Sequence, residues 1–141
     1  MMRGPCLYVN TSILIKAVNP KDPNREASIK VIKECCTRYM CVYSSVHGLE
    51  PWRAETWRRA MTILGSVGAT ACRIDAVTVL RKANRLRREW GVARSRVIDI
   101  AHIVAASMCG CKGIIAVDRF IRSKSTLLGL NYINYYTGCP R

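Results

Sequence analysis

Two short runs without a polar residue, Cys6-Leu7-Tyr8-Val9 and Ile114-Ile115-Ala116-Val117, constrain this chain more than any other feature. A strand that is apolar at every position has no face to give to water, so it belongs inside a sheet covered on both sides. Between the runs lie stretches with helical signals. Asn10-Thr11-Ser12 supplies a cap before Ile13-Leu14-Ile15, and the turn-rich Asn19-Pro20-Lys21-Asp22-Pro23-Asn24 precedes Ala27, Ile29, Val31, Ile32 and Cys35 at near-helical spacing. The segment Tyr39-Met40-Cys41-Val42-Tyr43 reads as a strand. Ser44-Ser45 then caps a helical stretch from about residue 46 to 66, with Pro51 admissible only near its start or at a kink. Residues 75–90 are strongly helical and stop at Gly91. Ser95 is placed to cap a further helix carrying Val97, Ile98, Ala101, Val104 and Ala105, which Gly110 to Gly113 terminates; Leu130-Asn131-Tyr132-Ile133 alternates like a last strand. The expected fold is therefore α/β, a three-layer α/β/α sandwich around a central, mostly parallel sheet. With 141 residues and no repeat or linker, one domain spanning 1–141 is expected.

In such sheets ligand sites collect at the carboxyl ends of the strands. Asn10 and Asp118 each directly follow an apolar run, so they project into one crevice if those strands are neighbours. Asp99 sits between Ile98 and Ile100 on an apolar helix, where an unpaired carboxylate is expensive, which marks it as a site candidate. His102, three residues further on, is within reach of Asp99 across one helical turn, although a satisfied core histidine is the plainer reading.

Charge points to the partner. The chain has 23 Lys and Arg against 9 Asp and Glu, a formal net charge of +14, well beyond what solubility requires. Arginine dominates, with 16 against 7 lysines, and its planar fork suits phosphate oxygens and stacks on bases. Residues 73–96 hold eight of these cations. There Val79, Ala83, Leu86 and Trp90 form one helical stripe, with Arg81, Arg85 and Arg88 opposite. Arg53, Arg58 and Arg59 form a second basic group, and Arg119, Arg122 and Lys124 a third. Trp52 and Trp57 lie beside the second group, as stacking on unpaired bases or burial in the core would both require. RNA is the favoured partner over DNA, since no helix-turn-helix is recognisable.

No run approaches the roughly 18 apolar residues of a membrane span, and residues 1–5 show no signal-peptide pattern, so no membrane association and a cytoplasmic location are expected. The eight cysteines then read mostly as core-filling thiols, and no pair is spaced with histidine for structural zinc. The chain contains no Gln, which hints at a thermophilic source, a setting in which internal disulfides are admissible.

Four blocks, in order and at the right intervals, resemble the PIN-domain ribonucleases, in particular the VapC-type toxins of prokaryotic toxin-antitoxin pairs. Tyr8-Val9-Asn10-Thr11-Ser12 is similar to the family's strand ending in Asp-Thr-Ser, with Asn10 in place of the Asp. Ser44-Ser45-Val46-His47-Gly48-Leu49-Glu50 brings Glu50 onto the family's helix-borne acid. Asp99-Ile100-Ala101-His102 resembles its Asp-Ala-Leu-His helix, preceded by Trp90-Gly91. Val117-Asp118-Arg119-Phe120 resembles its last strand and acid, without a second acid often found just after it. The resemblance implies a PIN-like fold and a Mg²⁺- or Mn²⁺-dependent endoribonuclease with Glu50, Asp99 and Asp118 as catalytic metal ligands, and Asn10 and Ser12 assisting. It also implies an antitoxin protein or a homodimer as partner.

The chemistry agrees with that donor set. Phosphodiester hydrolysis needs an activated water and stabilised phosphoryl oxygens, which carboxylates holding a hard divalent cation provide. Carboxylates gathered so closely raise the pKa of at least one of them when no metal is bound. Asn10 keeps an oxygen ligand but brings no charge and cannot act as a base, so metal affinity is expected to drop. Two readings follow. One is a nuclease with a weakened metal site; the other is a catalytically inactive PIN-like RNA-binding protein, such as a ribonucleoprotein component.

Overall fold

Every residue of Cys6–Val9 is buried, and this strand, β1, lies in the middle of a five-stranded sheet. The computed structural model describes residues 5–140. After β1 come α1 (Thr11–Val18), α2 (Arg25–Arg38) and β2 (Met40–Ser44), then a 3-10 turn over Ser45–Leu49, α3 (Ala54–Ser66) and β3 (Thr70–Cys72). The chain continues through α4 (Ala76–Glu89), α5 (Val97–Met108), β4 (Cys111–Ile115), α6 (Arg119–Ser125) and β5 (Asn131–Ile133). The strand order is β3-β2-β1-β4-β5, and all four pairings are parallel.

The layers follow from the alternation of side chains along β1. Leu7 and Val9 face α1, α2 and α3, packing on Ile13, Leu14, Ile32 and Leu64, while Cys6 and Tyr8 face α4, α5 and α6. Helices thus cover both faces, which is why the interior strands carry no polar stripe. Truncating any one of these fully buried side chains to alanine costs about 2–5 kcal/mol through lost burial and the cavity left behind. In β4, Gly113 has a steric purpose: a Cβ there would lie 2.9 Å from Ile133 Cδ1 and 3.0 Å from the Asn131 carbonyl oxygen. A side chain at this position would push β5 away from β4.

The crossovers decide where a site can form. From β1 the chain winds outward through β2 and β3, with α1, α2 and α3 on one face. It then returns through α4 and α5 on the other face to lay β4 along the opposite side of β1. The direction of winding reverses between β1 and β4. At that reversal neighbouring connections diverge and leave a crevice above the carboxyl ends of the two strands.

Several expected boundaries move. The helix expected over 46–66 is broken: the chain makes a 3-10 turn over Ser45–Leu49, runs irregularly past Pro51, and resumes helix only at Ala54. Pro51 lacks the N–H that a continuous helix needs, so it separates the two pieces. The last interior strand is Cys111–Ile115 rather than 114–117, since Gly110, with φ of 75°, turns the chain early and Cys111 already pairs beside Cys6. Ser95 lies within a 3-10 turn rather than capping α5. The edge strand Thr70–Cys72 carries too few apolar residues to have been recognised.

The cysteines require the largest correction. All eight are paired, as Cys6–Cys111, Cys35–Cys139, Cys36–Cys41 and Cys72–Cys109, so none is a free core thiol. Cys6–Cys111 ties β1 to β4, Cys35–Cys139 ties α2 to the C-terminal segment, and Cys72–Cys109 ties β3 to the end of α5. Two of the closed loops span 105 and 104 residues, and constraining the unfolded chain over that length is worth about 4–5 kcal/mol each. Full reduction is therefore expected to lower the melting temperature by roughly 20 °C or more. A thermal melt with and without a phosphine reductant measures this, alongside a thiol titration of the unreduced, denatured protein. An unchanged melt, or eight reactive thiols before reduction, would contradict the assignment.

Candidate metal and nucleic-acid site

Asn10 is the first residue beyond β1 and is nearly buried, with its backbone N–H donating to the Ile115 carbonyl oxygen at 2.9 Å. That bond closes the top of the β1–β4 pair. The Asn10 side-chain oxygen accepts from the Ser12 N–H at 3.0 Å and caps α1, a role for which Asn and Asp are equally suited. Ser12 Oγ in turn accepts from the Val117 N–H at 3.0 Å, so α1 is pinned to the segment leading out of β4. Asp118 caps α6, its Oδ1 accepting from the Ile121 N–H at 3.0 Å, and its own N–H donates to the Tyr132 hydroxyl at 3.0 Å.

Asp99 occupies the first turn of α5. Because α5 leads down into the start of β4, its N-terminus lies at the carboxyl edge of the sheet, over the same crevice. Burial and the nearby negative charge of Asp118 push the Asp99 carboxyl above the usual carboxylate range, partly offset by Arg96, whose Nη1 stands 3.4 Å from Asp99 Oδ2. Burial is the larger of the two causes, and the second places Asp99 within electrostatic reach of Asp118. Arg96 also lies over the Phe120 ring, 4.9 Å from its centroid, so the cation reaching Asp99 is held beside α6.

Glu50 takes a different direction. It ends the 3-10 turn rather than riding on a helix, because Pro51 follows it. Its Oε1 lies 3.4 Å from His102 Nε2, while Oε2 is buried with no hydrogen-bond partner. Burial pushes this carboxyl up, but the hydrogen bond and charge of His102 outweigh it and leave the group below its ordinary value. Glu50 also lines a cavity of about 300 Å³ together with Thr11, Ile15, Trp52 and Arg53.

Behind Glu50 lies a buried polar network that the sequence only partly announced. The Tyr8 hydroxyl is within hydrogen-bond distance of Ser44 Oγ at 2.7 Å and His102 Nδ1 at 2.8 Å, and His102 Nε2 is 3.3 Å from Thr11 Oγ1. His47 Nε2 lies 2.7 Å from the Val9 carbonyl oxygen, and its Nδ1 accepts from the Ser44 N–H at 3.2 Å. Both histidines are fully buried and their rings cross edge to face, 4.7 Å apart. His102 thus turns to Tyr8, Thr11 and Glu50 rather than to Asp99. The signal for His47 was present: Ser44 and His47 stand three apart and complete a capping box on the turn. Tyr8 gave none, since a tyrosine inside an apolar run reads as core.

The basic groups sit on the surface as expected. Arg81, Arg85 and Arg88 are exposed on α4 opposite the buried Val79 and Ala83, and none of the three forms an ion pair among the described residues. Arg53, Arg58 and Arg59 are exposed around the start of α3, with Arg59 paired to Glu55 at 3.0 Å. Arg119 and Arg122 are exposed on α6, directly after Asp118. Trp52 and Trp57 pack on each other at 5.1 Å, and Trp52 Nε1 donates to the His47 carbonyl oxygen, so Trp52 is committed to the fold.

Among the described residues, no group of three or more His, Cys, Asp and Glu side chains is arranged as a metal-binding cluster. The four expected ligands lie at one edge of the sheet, where Glu50 pairs with His102 and Asp99 feels the charge of Asp118. Magnesium is commonly held by one or two carboxylates, with substrate phosphate and water completing its shell. Two carboxylates within electrostatic reach of each other suit that donor chemistry, and the unpartnered Glu50 Oε2 is a further unsatisfied acceptor. Compared with known proteins, the chain matches no family model, no curated protein and no solved structure at a significant level. No helix among the described residues is long and apolar enough to cross a membrane.

The network has a pH signature. Burial, and the charge of the adjacent His102, hold His47 far below its ordinary value, at about 3. The unfolded chain binds that proton near pH 6.5 and the folded chain does not, so the stability His47 contributes is complete above pH 6.5 and is lost as pH falls. The expected loss is roughly 1.4 kcal/mol per pH unit below about 6.5. Glu50, with a lowered value, adds a loss of the same sign only near and below its unfolded value. Urea denaturation between pH 7.5 and 5 measures the slope; a flat profile would contradict a neutral, buried His47.

Proposed function

We propose that this chain is a PIN-like RNA-acting protein, a divalent-metal-dependent endoribonuclease of VapC type whose metal site is weakened by Asn10. What supports the reading is that Asp99 and Asp118, within electrostatic reach of each other, stand with Asn10 and Ser12 at the carboxyl edge of the sheet, where the winding reverses between β1 and β4. An acidic pair at the one topological switch point of a chain with net charge +14 has a clear use if a cation and a phosphate meet there. Arg119 and Arg122 begin and continue α6 just beyond Asp118, where they can hold the RNA backbone against the pair.

Asp99 and Asp118 would hold Mg²⁺ or Mn²⁺ with the Asn10 amide oxygen beside them. The bound ion supplies charge neutralisation on the phosphoryl oxygens and a water of lowered pKa. The residues do the rest. Asn10 orients Ser12 and α1, Asp118 fixes α6 and its arginines, and Arg96 partly balances Asp99 when the site is empty of phosphate. Glu50, ionised and fixed by His102, adds negative charge at the same sheet edge. An antitoxin protein or a second copy of the chain is the partner this reading carries with it. The paired cysteines and the lack of Gln fit a thermophilic source, the setting in which a cytoplasmic protein keeps internal disulfides.

A second reading is favoured by one specific set of contacts. Asn10 lacks charge and Arg96 stands on Asp99, so two of the four positions that would serve the metal are neutral or already paired with a cation. On that reading the chain binds RNA without cutting it, as a ribonucleoprotein component.

Cleavage of single-stranded RNA in Mn²⁺ by this chain and by Asn10→Asp separates the two. Weak cleavage that rises on the order of tenfold or more in Asn10→Asp, and vanishes in chelator and in Asp99→Asn, is the expected result, since a restored unit charge near the cation is worth a few kcal/mol. Salt-sensitive RNA binding with no cleavage by either protein would establish the binding-only reading. Replacing Arg81, Arg85 and Arg88 together with alanine is expected to reduce the slope of log affinity against log salt by about 2–3 in magnitude, for equal effects on all RNA sequences. An unchanged slope would move the RNA path off α4.

A further inference from the structure

Beyond the acidic crevice, the same sheet edge carries a second concavity that the proposed chemistry does not use. It is a cleft of about 660 Å³ at the carboxyl ends of β2 and β3, beneath the start of α3 and α4. Its walls are largely apolar: Tyr43 from β2, Ala71 and Cys72 from β3, Ile74 beyond it, and Trp57 from α3. Its rim is polar, with Ser45, Arg73 and Asp75. Core packing does not account for Trp57 here. The indole is only half-buried, against the edge of Trp52, and leaves a flank on the cleft.

We propose that this cleft binds one unpaired nucleotide of a single-stranded RNA, with the base stacked on Trp57 and its phosphate on Arg73. The assignment rests on the RNA-acting reading above and adds a subsite to it. Aromatic side chains beside cations are the usual platform for unpaired bases, because every base offers a π face and every nucleotide a phosphate. Both parts are present on one rim. Asp75 belongs to the same rim, its Oδ2 accepting from the Thr78 hydroxyl at 2.7 Å while it caps α4. That carboxylate is an acceptor only, so it suits a base edge carrying an exocyclic amino group over one presenting carbonyl oxygens alone. Arg81, one turn into α4, lies close enough to act on the charge of Asp75, and from there Arg85 and Arg88 continue along the exposed face. A strand leaving the cleft therefore meets a run of cations.

Position relates the cleft to the crevice. Ser44, Ser45 and Gly48 line the cleft; Ser44 caps, and the other two belong to, the turn Ser45–Leu49 that Glu50 follows. Ser44 Oγ also meets the Tyr8 hydroxyl, which meets His102, the partner of Glu50. A nucleotide in the cleft is thus held at the same edge of the sheet as Glu50, where it can fix the register of a strand running along that edge.

The test measures binding of fluorescein-labelled single-stranded and duplex RNA 12-mers by the full chain, without divalent metal, across a salt series. Two variants are compared with the parent. Trp57→Ala removes the platform; Gly48→Leu narrows the cleft from a position where an added Cβ meets nothing within 4 Å. Each is expected to lose roughly 5- to 100-fold in affinity for the single strand, the loss expected for one stacked base, with the salt slope and duplex binding unchanged. If Trp57→Ala fails to fold, as a lowered melting temperature would reveal, Gly48→Leu decides. Single-strand affinity unchanged in Gly48→Leu and in folded Trp57→Ala would overturn the cleft assignment and leave the RNA reading standing. A parent protein that binds neither RNA would overturn both.

Discussion

Placing a four-residue strand between two parallel neighbours, with helices on both of its faces, leaves β1 only one end at which polarity is tolerated. Cys6–Val9 spends its side chains on two dry cores and its backbone on β2 and β4. The first oxygen-bearing side chain after it, Asn10, therefore falls at the sheet's carboxyl edge. The reversal of winding at β1 then opens that edge, and α5, having to return to the start of β4, brings Asp99 there. The acidic crevice is a consequence of the chain path, and its residues come from segments up to about a hundred positions apart in sequence.

The Tyr8 hydroxyl is the exception to the apolar strand, and it has large effects. A hydroxyl in a core costs several kcal/mol unless bonded, so Ser44 and His102 are drawn to it. His102 in turn takes Glu50, and His47 fastens the turn to the Val9 carbonyl. Satisfying one buried oxygen has thus fixed the direction of a carboxylate that the resemblance alone would have assigned to the metal. The same chain of contacts couples the candidate cleft to the crevice through the turn Ser45–Leu49.

Much of this was legible in residue patterns. The two apolar runs announced interior parallel strands, and Asn10 announced a cap at the end of the first; the stripe of Val79, Ala83, Leu86 and Trp90 announced which face of α4 is outward. What escaped was set by distant partners. Cys6 and Cys111 read as separate thiols because nothing local says that β1 and β4 are neighbours. Glu50 reads as helical in the sequence because Pro51 is compatible with a kink as well as with a break. Its pairing with His102 depends on a tyrosine whose apolar neighbours hid its polar role. The strand at Thr70–Cys72 was missed because an edge strand of three residues needs no apolar run.

The net charge of +14 gains a spatial meaning from these placements. Asp99 and Asp118 stand at the carboxyl edge of the sheet, and arginines of α4 and α6 that form no ion pair among the described residues lie exposed on the surface. In the proposed function Asp99 and Asp118 hold a divalent cation whose binding Asn10 weakens. Calorimetric titration of Mn²⁺ into the parent protein, Asn10→Asp and Asp99→Asn tests this without reference to catalysis. Weak binding to the parent, binding on the order of tenfold tighter or more in Asn10→Asp, and none in Asp99→Asn is the expected result. Mn²⁺ affinity unaffected by either substitution would contradict it.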